Sequence, residues 1–461
     1  MKSNRCEVTA TELDEAGLGV GLDAETGRHR VHVADLLPGE RAEVVIDHAS
    51  PHKAEAWGHI LRRLGPPSAD RTPPACPAFG RCGGCTWQHL AYPAQLVAKR
   101  RRVELALADI LAIDQRGVTV APVRRSPRVV GYRNKGKYVA GAAASTTGDK
   151  VVVLGAYAPR SHHVIDTLGC KVVTPLIDEV ATWVRGAADA AAVVPYDERT
   201  RTGELRYVII REAAGDVMVA LIVAPHTAPE KLEQVANAMS RHPALRGLVV
   251  VENDRRDGAI MPTGSTARVL VGHPHLVEQL AGVTVDVGAG EFLQVNREQA
   301  TAMYERVTEL ADVTPTTRAV DLFAGLGGIG LHLARAGAQV VAVEIDRDAV
   351  AQLARAAQAA QLPLTALAAD AAELPATVRA QLGTAPDVVV VNPPRKGLGA
   401  AVREMLVALA PRTLIYVSCG PEALGKDLVA LAAHGWSPDV IEPFDLMPGT
   451  AQIETIVRLR R

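Results

Sequence analysis

Along the first sixty residues, apolar and polar positions alternate in short runs. VHVADLL (31–37) and RAEVVID (41–47) are separated by turn-rich stretches such as EAGLGVG and LPGE. This period-two rhythm predicts a small, OB-like all-β barrel over residues 1–62. Five prolines between residues 66 and 77 then break the pattern. A helical pattern opens with KRRR (99–102) and continues through VELALADILA. Between 138 and about 285, strand-like runs (KVVVLGAYA, LRYVIIRE, DVMVALIVA, LRGLVVVEN) mix with a helical segment, KLEQVANAMSR. They predict a central α+β domain over 63–290. From 291 onward RAVDLFA, AQVVAVEID, DVVVVNPP and TLIYVS are each followed by Ala/Leu-rich helical patterns. Near-continuous apolar strands alternating with helices predict a Rossmann-like, doubly wound α/β domain over 291–461.

Composition changes this picture only in places. With 48% apolar and 22% charged residues the chain is globular, and 50 basic against 51 acidic residues exclude a globally cationic protein. The balance hides local contrasts. Residues 1–62 carry 7 Lys/Arg and 11 Asp/Glu, whereas residues 99–137 carry 11 and three. The second strip gathers Arg124, Arg125, Arg128, Arg133, Lys135 and Lys137 around the apparent strand YRNKGKYVAG. No apolar run is long enough to span a bilayer, and the opening MKSNRCEVTATELDEAG lacks the apolar middle of a signal peptide. A cytosolic protein is expected, in which six cysteines serve as ligands, nucleophiles or packing residues rather than disulfides.

The candidate chemistry sits at the ends of the C-terminal strands. DLFAGLGGIG (321–330) places Gly325, Gly327 and Gly330 in G-x-G-x-x-G spacing, and Glu344 follows on the next strand. Such a turn lets backbone approach a ligand at a helix N-terminus. It fits either a nicotinamide or flavin dinucleotide or S-adenosylmethionine, with Asp321 and Glu344 flanking the turn. Later strand ends favour the second. One ends Asn392-Pro393-Pro394-Arg395, a corner that methyltransferases use and dehydrogenases do not need. The next ends Ser418-Cys419-Gly420-Pro421, which puts a thiol at the ligand-binding edge of a parallel sheet. Near the C-terminus Glu454 stands among Ile453, Ile456 and Val457, surroundings suited to a proton-abstracting carboxylate. Separately, CPAFGRCGGC holds Cys76, Cys82 and Cys85 within ten residues. Three thiols so close in a reducing compartment call for a metal or cluster, and spacing alone leaves zinc and iron–sulfur open.

Six ordered motifs together, GEFLQVN (290–296), DLFAGLGGIG, VEID (343–346), NPPRKG (392–397), YVSCGP (416–421) and PGTAQIETI, resemble the RNA uracil-C5 methyltransferases, which make 5-methyluridine. The N-terminal barrel resembles a TRAM domain. The resemblance covers most of the chain and is weakest in the central domain. It implies that Cys419 is the nucleophile and Glu454 the base. It implies that Gln294, Phe323, Glu344 and Asp370 contact S-adenosylmethionine, with Asn392 at the junction of cofactor and substrate. It also implies a 4Fe–4S cluster on Cys76, Cys82, Cys85 and Cys170, which leaves Cys6 as a non-catalytic cysteine. Three positions depart from the family pattern: Asn392 stands for Asp, Gly328 for Asn and Gln452 for His. Members with four such cysteines resemble the ribosomal enzymes, so 23S ribosomal RNA is the favoured substrate and transfer RNA the alternative. The basic strip, Arg133, Lys135 and Lys137 foremost, is expected to meet phosphates. The expected enzyme is a monomer that binds RNA and no membrane. Two other classes fit parts of the sequence: a dinucleotide-dependent iron–sulfur oxidoreductase and a non-catalytic RNA-binding factor. Asn392-Pro-Pro and Ser418-Cys419 argue against the first, and the pair Cys419 and Glu454 against the second.

Overall fold

The computed structural model describes residues 4–113, 116–144, 150–159, 161–257, 259–261, 265–373 and 375–461. The period-two region folds as six strands: β1 (Arg5–Thr9), β2 (Glu12–Leu13), β3 (Gly19–Leu22), β4 (Arg30–Val33), β5 (Arg41–Ala49) and β6 (Glu55–Leu64). Their order is β1-β5-β6-β4-β3-β2, and a bridge from Val8 to Asp23 closes the sheet on itself. Inward positions such as Val8, Val31, Val33, Ala42 and Val44 fill the interior, as alternation demands. Cys6 lies in this interior, and burial pushes its thiol up to about 11.

Two helices follow, α1 (Tyr92–Ala106) and α2 (Ala108–Ile113). The central sheet comprises β7 (Lys135–Ala144), β8 (Lys150–Tyr157), β9 (Val164–Asp166), β10 (Leu205–Ala213), β11 (Asp216–Val223), β12 (Leu245–Glu252) and β13 (Ala267–Gly272). Its order is β13-β12-β11-β10-β7-β8-β9. Helices α3 (Pro175–Ala190) and α4 (Pro229–Met239) cover one face, burying Val208, Ile210, Val219 and Leu221. The other face carries Tyr207, Ile209 and Met218, packed against Leu276 of a hairpin formed by β14 (His275–Leu280) and β15 (Val283–Gly288).

The C-terminal region alternates as its sequence predicts. The helices are α5 (Arg297–Leu310), α6 (Gly328–Arg335), α7 (Arg347–Ala359), α8 (Pro375–Leu382), α9 (Gly399–Leu409) and α10 (Pro421–Ala432). The strands are β16 (Arg318–Leu322), β17 (Gln339–Glu344), β18 (Leu364–Ala368), β19 (Val388–Val391), β20 (Thr413–Ser418), β21 (Ser437–Phe444) and β22 (Glu454–Arg460). Sheet order is β18-β17-β16-β19-β20-β22-β21. The first five strands run parallel, and β22 lies antiparallel beside β20. The order reverses between β16 and β19, which is where such sheets open a ligand crevice.

The basic run at 99–102 is not simply a charged surface. Lys99 is fully buried, and its Nζ donates to Asp445 Oδ1 at 2.6 Å and to the Met447 carbonyl at 3.0 Å. Arg102 pairs with Glu422 and donates to the Ala451 carbonyl at 2.8 Å. On the same side of α1, Val103, with Leu107 and Ile110 beyond, enters the core beneath β19 and β20. The apolar side of this helix faces the catalytic sheet and draws its nearest cations inward with it. Lys99→Met should therefore strand the Asp445 carboxylate in a dry core. A loss of about 3–5 kcal/mol is expected, read by chemical denaturation, with Lys99→Met/Asp445→Leu recovering most of it.

Candidate active site

Because five strands are parallel, their C-terminal ends share one rim. The rim gathers Phe323 after β16, Glu344 at the end of β17, Asp370 after β18, Asn392 after β19 and Cys419 after β20. Glu454 begins β22, and because β22 is antiparallel its first residue reaches the same rim. Gln294 arrives from the segment between β15 and α5. All seven line one cavity of about 850 Å³.

The turn after β16 is shaped by contacts as well as by conformational freedom. Gly327 adopts φ +84°, and a Cβ there would lie 2.3 Å from Leu353 of α7. At Gly330 the amide donates to Asp321 Oδ2 at 2.8 Å, an approach that any side chain would crowd. Phe323, a non-glycine residue, is held at φ +62°, a strained conformation of the kind that concentrates at functional sites. Glu344 Oε2 accepts from the Gly325 amide at 2.9 Å, and Oε1 accepts from the amides of Ile345 and Asp346. These bonds fix the carboxylate on the cavity wall and leave lone pairs for further donors. Ile345 (71% exposed) and Phe292 (70% exposed) present bare apolar surface at the mouth.

The reactive groups sit deeper. Glu454 is 8% exposed, and its Oε2 has no hydrogen-bond partner. Burial pushes its carboxyl up to about 8, against the pull of Arg395 and a hydrogen bond from Gln294. Burial raises the Cys419 thiol, the Glu454 charge raises it further, and Arg395 draws it back. Arg395 is held in turn by Gln452 Oε1, which accepts from its Nη2 at 3.0 Å. Asp321 is also buried, with Oδ1 unpartnered, and burial pushes its carboxyl up to about 7. A thiol whose ionisation a neighbouring carboxylate opposes, beside one guanidinium, suits a sequence in which nucleophile and base act in turn.

A model of the tRNA (uracil-5-)-methyltransferase family matches residues 283–461. An uncharacterized RNA methyltransferase of Halalkalibacterium halodurans is 30% identical over 460 residues, 99% of this chain and 97% of the relative. Another, from Nostoc sp., is 32% identical over 97% of this chain and 94% of its own. The chain belongs to the RNA uracil-C5 methyltransferase family. A tRNA (uracil-54, C5)-methyltransferase from Pyrococcus abyssi, solved with S-adenosyl-L-homocysteine, shares the fold at TM-score 0.76 and 21% identity. That alignment covers 98% of this chain and all of the other.

Within this RNA methyltransferase two of the three departures from the family pattern have local explanations. At Gly328 an added Cβ would lie 2.8 Å from the Tyr304 ring, so the buried tyrosine leaves no room for a side chain. Gln452 is expected from sequence to bear on how Glu454 is oriented; its partner is instead Arg395, beside Cys419, and Gln294 is the side chain that reaches Glu454. For Asn392 nothing in the structure explains the exchange.

All six cysteines of the methyltransferase are free thiols, among them the expected cluster ligands Cys76, Cys82, Cys85 and Cys170. Burial, together with the nearby Cys170, Cys82 and Cys76, pushes the Cys85 thiol up to about 11. Among the described residues, no three His, Cys, Asp or Glu side chains close to metal-binding geometry. The Gly84 amide donates to Cys82 Sγ at 3.3 Å.

The second basic strip divides. Lys137 is exposed, and Arg128 pairs with Glu298 at the surface. Lys135 is buried, its Nζ donating to the Glu291 carbonyl at 3.0 Å. Burial and the charges of Arg211, Lys137 and Arg133 push it down to about 6. Arg133 Nε donates to the Lys135 carbonyl. The buried Arg211 also donates to the Glu291 carbonyl, at 2.5 Å. Tyr304 joins the cavity although no motif marks it; Ile345 and Arg395 stood inside quoted motifs, and Arg395 is recognisable only once Cys419 lies beside it.

Among the described residues, no helix is long and apolar enough to cross a membrane.

Proposed function

We propose that this methyltransferase forms 5-methyluridine in RNA through a covalent bond between Cys419 and C6 of the target uracil, with Glu454 as the base. One observation carries the proposal: Cys419 and Glu454 line a single cavity, and the Glu454 charge raises the thiol. S-adenosylmethionine fits the outer part, between Phe323, Ile345, Asp370 and the Glu344 carboxylate, with Gln294 and Asn392 towards the thiol; it supplies an electrophilic methyl group. Homologous function and the S-adenosyl-L-homocysteine in the P. abyssi enzyme support this placement.

Uracil C5 is a weak nucleophile. Attack of the Cys419 thiolate on C6 moves the C5–C6 electron pair towards O4 and gives an enolate with nucleophilic C5. Arg395, held by Gln452, favours the thiolate that begins the sequence. C5 takes the methyl group and then carries both methyl and hydrogen. The Glu454 carboxylate accepts the C5 proton, the C5=C6 bond re-forms, and the thiolate departs. The uracil must leave its stack to reach this depth. Because both groups are shifted upward in the free enzyme and both must ionise, kcat/KM should rise with pH and level off only near or above pH 8. A flat profile between pH 6 and 9 would contradict this assignment.

Ribosomal RNA, 23S in particular, is the proposed substrate, with transfer RNA as the alternative. The proposed RNA grip is the TRAM-like barrel together with Arg133, Lys135 and Lys137. A buried lysine pushed down by neighbouring cations is a position that a phosphate would recharge. Cys76, Cys82, Cys85 and Cys170 are the proposed ligands of a 4Fe–4S cluster, a reading that rests on the family resemblance and on the electrostatic reach of the other three from Cys85. The methyl transfer derived above needs no redox step, so the cluster's proposed role is to hold structure. The proposed enzyme is a cytoplasmic monomer. The test is transfer of labelled methyl to unmodified ribosomal and transfer RNA, with nucleoside analysis and iron and sulfide determination on the same preparation. 5-Methyluridine in one RNA class names the substrate; methyl at another atom overturns the chemistry.

A further inference from the structure

The molecule has a second cavity, of about 460 Å³, at the opposite end of the central sheet. It lies where β8, β11 and β12 end and β10 begins. Tyr157, Tyr196 and Tyr207 line it, three of the chain's eight tyrosines in a protein with only 3% aromatic residues. Arg201, Arg255 and Arg256 rim it, all exposed. Arg206 forms its floor at 4% exposure.

Arg206 is there because the sheet is irregular. The pairing of β10 with β11 slips between Leu205 and Tyr207. A bulge of this kind re-aims a side chain, and such bulges cluster beside functional sites. Arg206 and Tyr207, which regular alternation would send to opposite faces, both line the cavity. The Arg206 guanidinium lies 4.8 Å from the Tyr196 ring centroid and 5.7 Å from that of Tyr207. Its Nη atoms bond Glu198, Asn253 and the Arg255 carbonyl, but its buried Nε has no partner. Tyr207 also donates to Glu198, so that acid is already engaged from two sides. Arg255 is paired with Asp257, and Arg201, Arg206 and Arg256 against Glu198 and Asp254 leave the lining cationic. Arg201 is held at φ +59°, a strained backbone for an arginine.

Aromatic faces interleaved with arginines are the chemistry that recognises unpaired nucleotides: bases stack and phosphates pair. We propose that this cavity is a second RNA-docking site that takes an unpaired nucleotide of the substrate other than the target uridine. It rests on the reading of the chain as an enzyme acting on RNA. Strand β10 links the two sites directly. Arg206 and Tyr207 begin it, and Arg211 near its end donates to Glu291, which lines the catalytic cavity. Five residues of strand separate Arg206 from Arg211, about 17 Å. RNA seated at both sites would be held on either side of the strand, fixing which uridine reaches Cys419.

The test uses the full-length protein, total ribosomal RNA and a labelled twelve-residue single-stranded oligoribonucleotide. Tyr196→Ala should raise both the oligonucleotide Kd and the KM for RNA by roughly 5- to 150-fold, the range for one lost stacking contact. Tyr196→Phe should stay near wild type, because it keeps the ring. Arg256→Glu should weaken binding and reduce its salt dependence by about one phosphate contact. The thermal midpoint, kcat and the KM for S-adenosylmethionine should not move. An unchanged oligonucleotide Kd in both Tyr196→Ala and Arg256→Glu overturns the proposal. So does Tyr196-dependent binding of free UMP or AMP with RNA binding unaffected, which would mark a mononucleotide site. If no RNA is methylated but Tyr196→Ala still loses the oligonucleotide, the docking site stands and the proposed chemistry falls.

Discussion

Cys419→Ala should abolish turnover, by on the order of 10⁴-fold or more, while S-adenosylmethionine binds as before. The size follows from the chemistry. Without sulfur addition at C6, C5 has no enolate to draw on, and the other groups of the cavity cannot replace a missing nucleophile. The alanine takes up less space than the thiol, and Cys419 follows β20 at a partly open position, so the sheet has no reason to rearrange. The cofactor contacts proposed for Phe323, Glu344 and Asp370 lie on other strands. The measurement is labelled-methyl transfer alongside calorimetric binding of S-adenosylhomocysteine. Normal product from the alanine variant would remove the covalent mechanism. Loss of both activities would point instead to a collapsed rim.

Glu454→Gln should give a different failure. Addition at C6 and methylation at C5 precede the base, so the variant should stop after them and accumulate enzyme joined to methylated RNA. Steady turnover should fall by roughly 10²–10⁴-fold, the usual contribution of a positioned base. The methyl transferred should approach, and not exceed, one per enzyme. A denaturing gel carrying label in both RNA and methyl group reads the joined species. The substitution also removes the carboxyl that burial holds near 8, so the first, single-turnover phase should keep only the pH dependence of the Cys419 thiol. Full loss of activity with no joined species would assign Glu454 to the first step or to structure.

These two residues were legible because each sits on a short motif at a strand end, and parallel strands bring their ends together without further instruction. Glu344 and Asn392 stand at strand ends by the same logic, whereas Phe323 and Asp370 were implied only by the family resemblance and line the same cavity. Lys99 shows the limit. In sequence it opens a run of four cations, and nothing within hearing distance announces a buried carboxylate 346 residues later. The second cavity was invisible for a related reason. Its tyrosines and arginines come from three separate strand ends, and the bulge that turns Arg206 inward depends on the register with β11. Arg395 was read as part of a motif, but its bearing on Cys419 is a matter of distance, which spacing along the chain does not encode.

The way α1 is built into the catalytic sheet also sets an order of events during synthesis. Lys99, Val103 and Leu107 leave the ribosome early, yet the carboxylate and strands they pack against lie far behind. At typical elongation rates of 5–20 residues per second, Lys99 waits roughly 17–70 s for Asp445. Strand β22, which fills the gap between β20 and β21, comes later still. The barrel and central sheet can mature while this helix remains unpaired. The nascent chain therefore carries an exposed apolar face with a cation in its midst, and that lysine keeps the waiting helix soluble until its acid partner arrives.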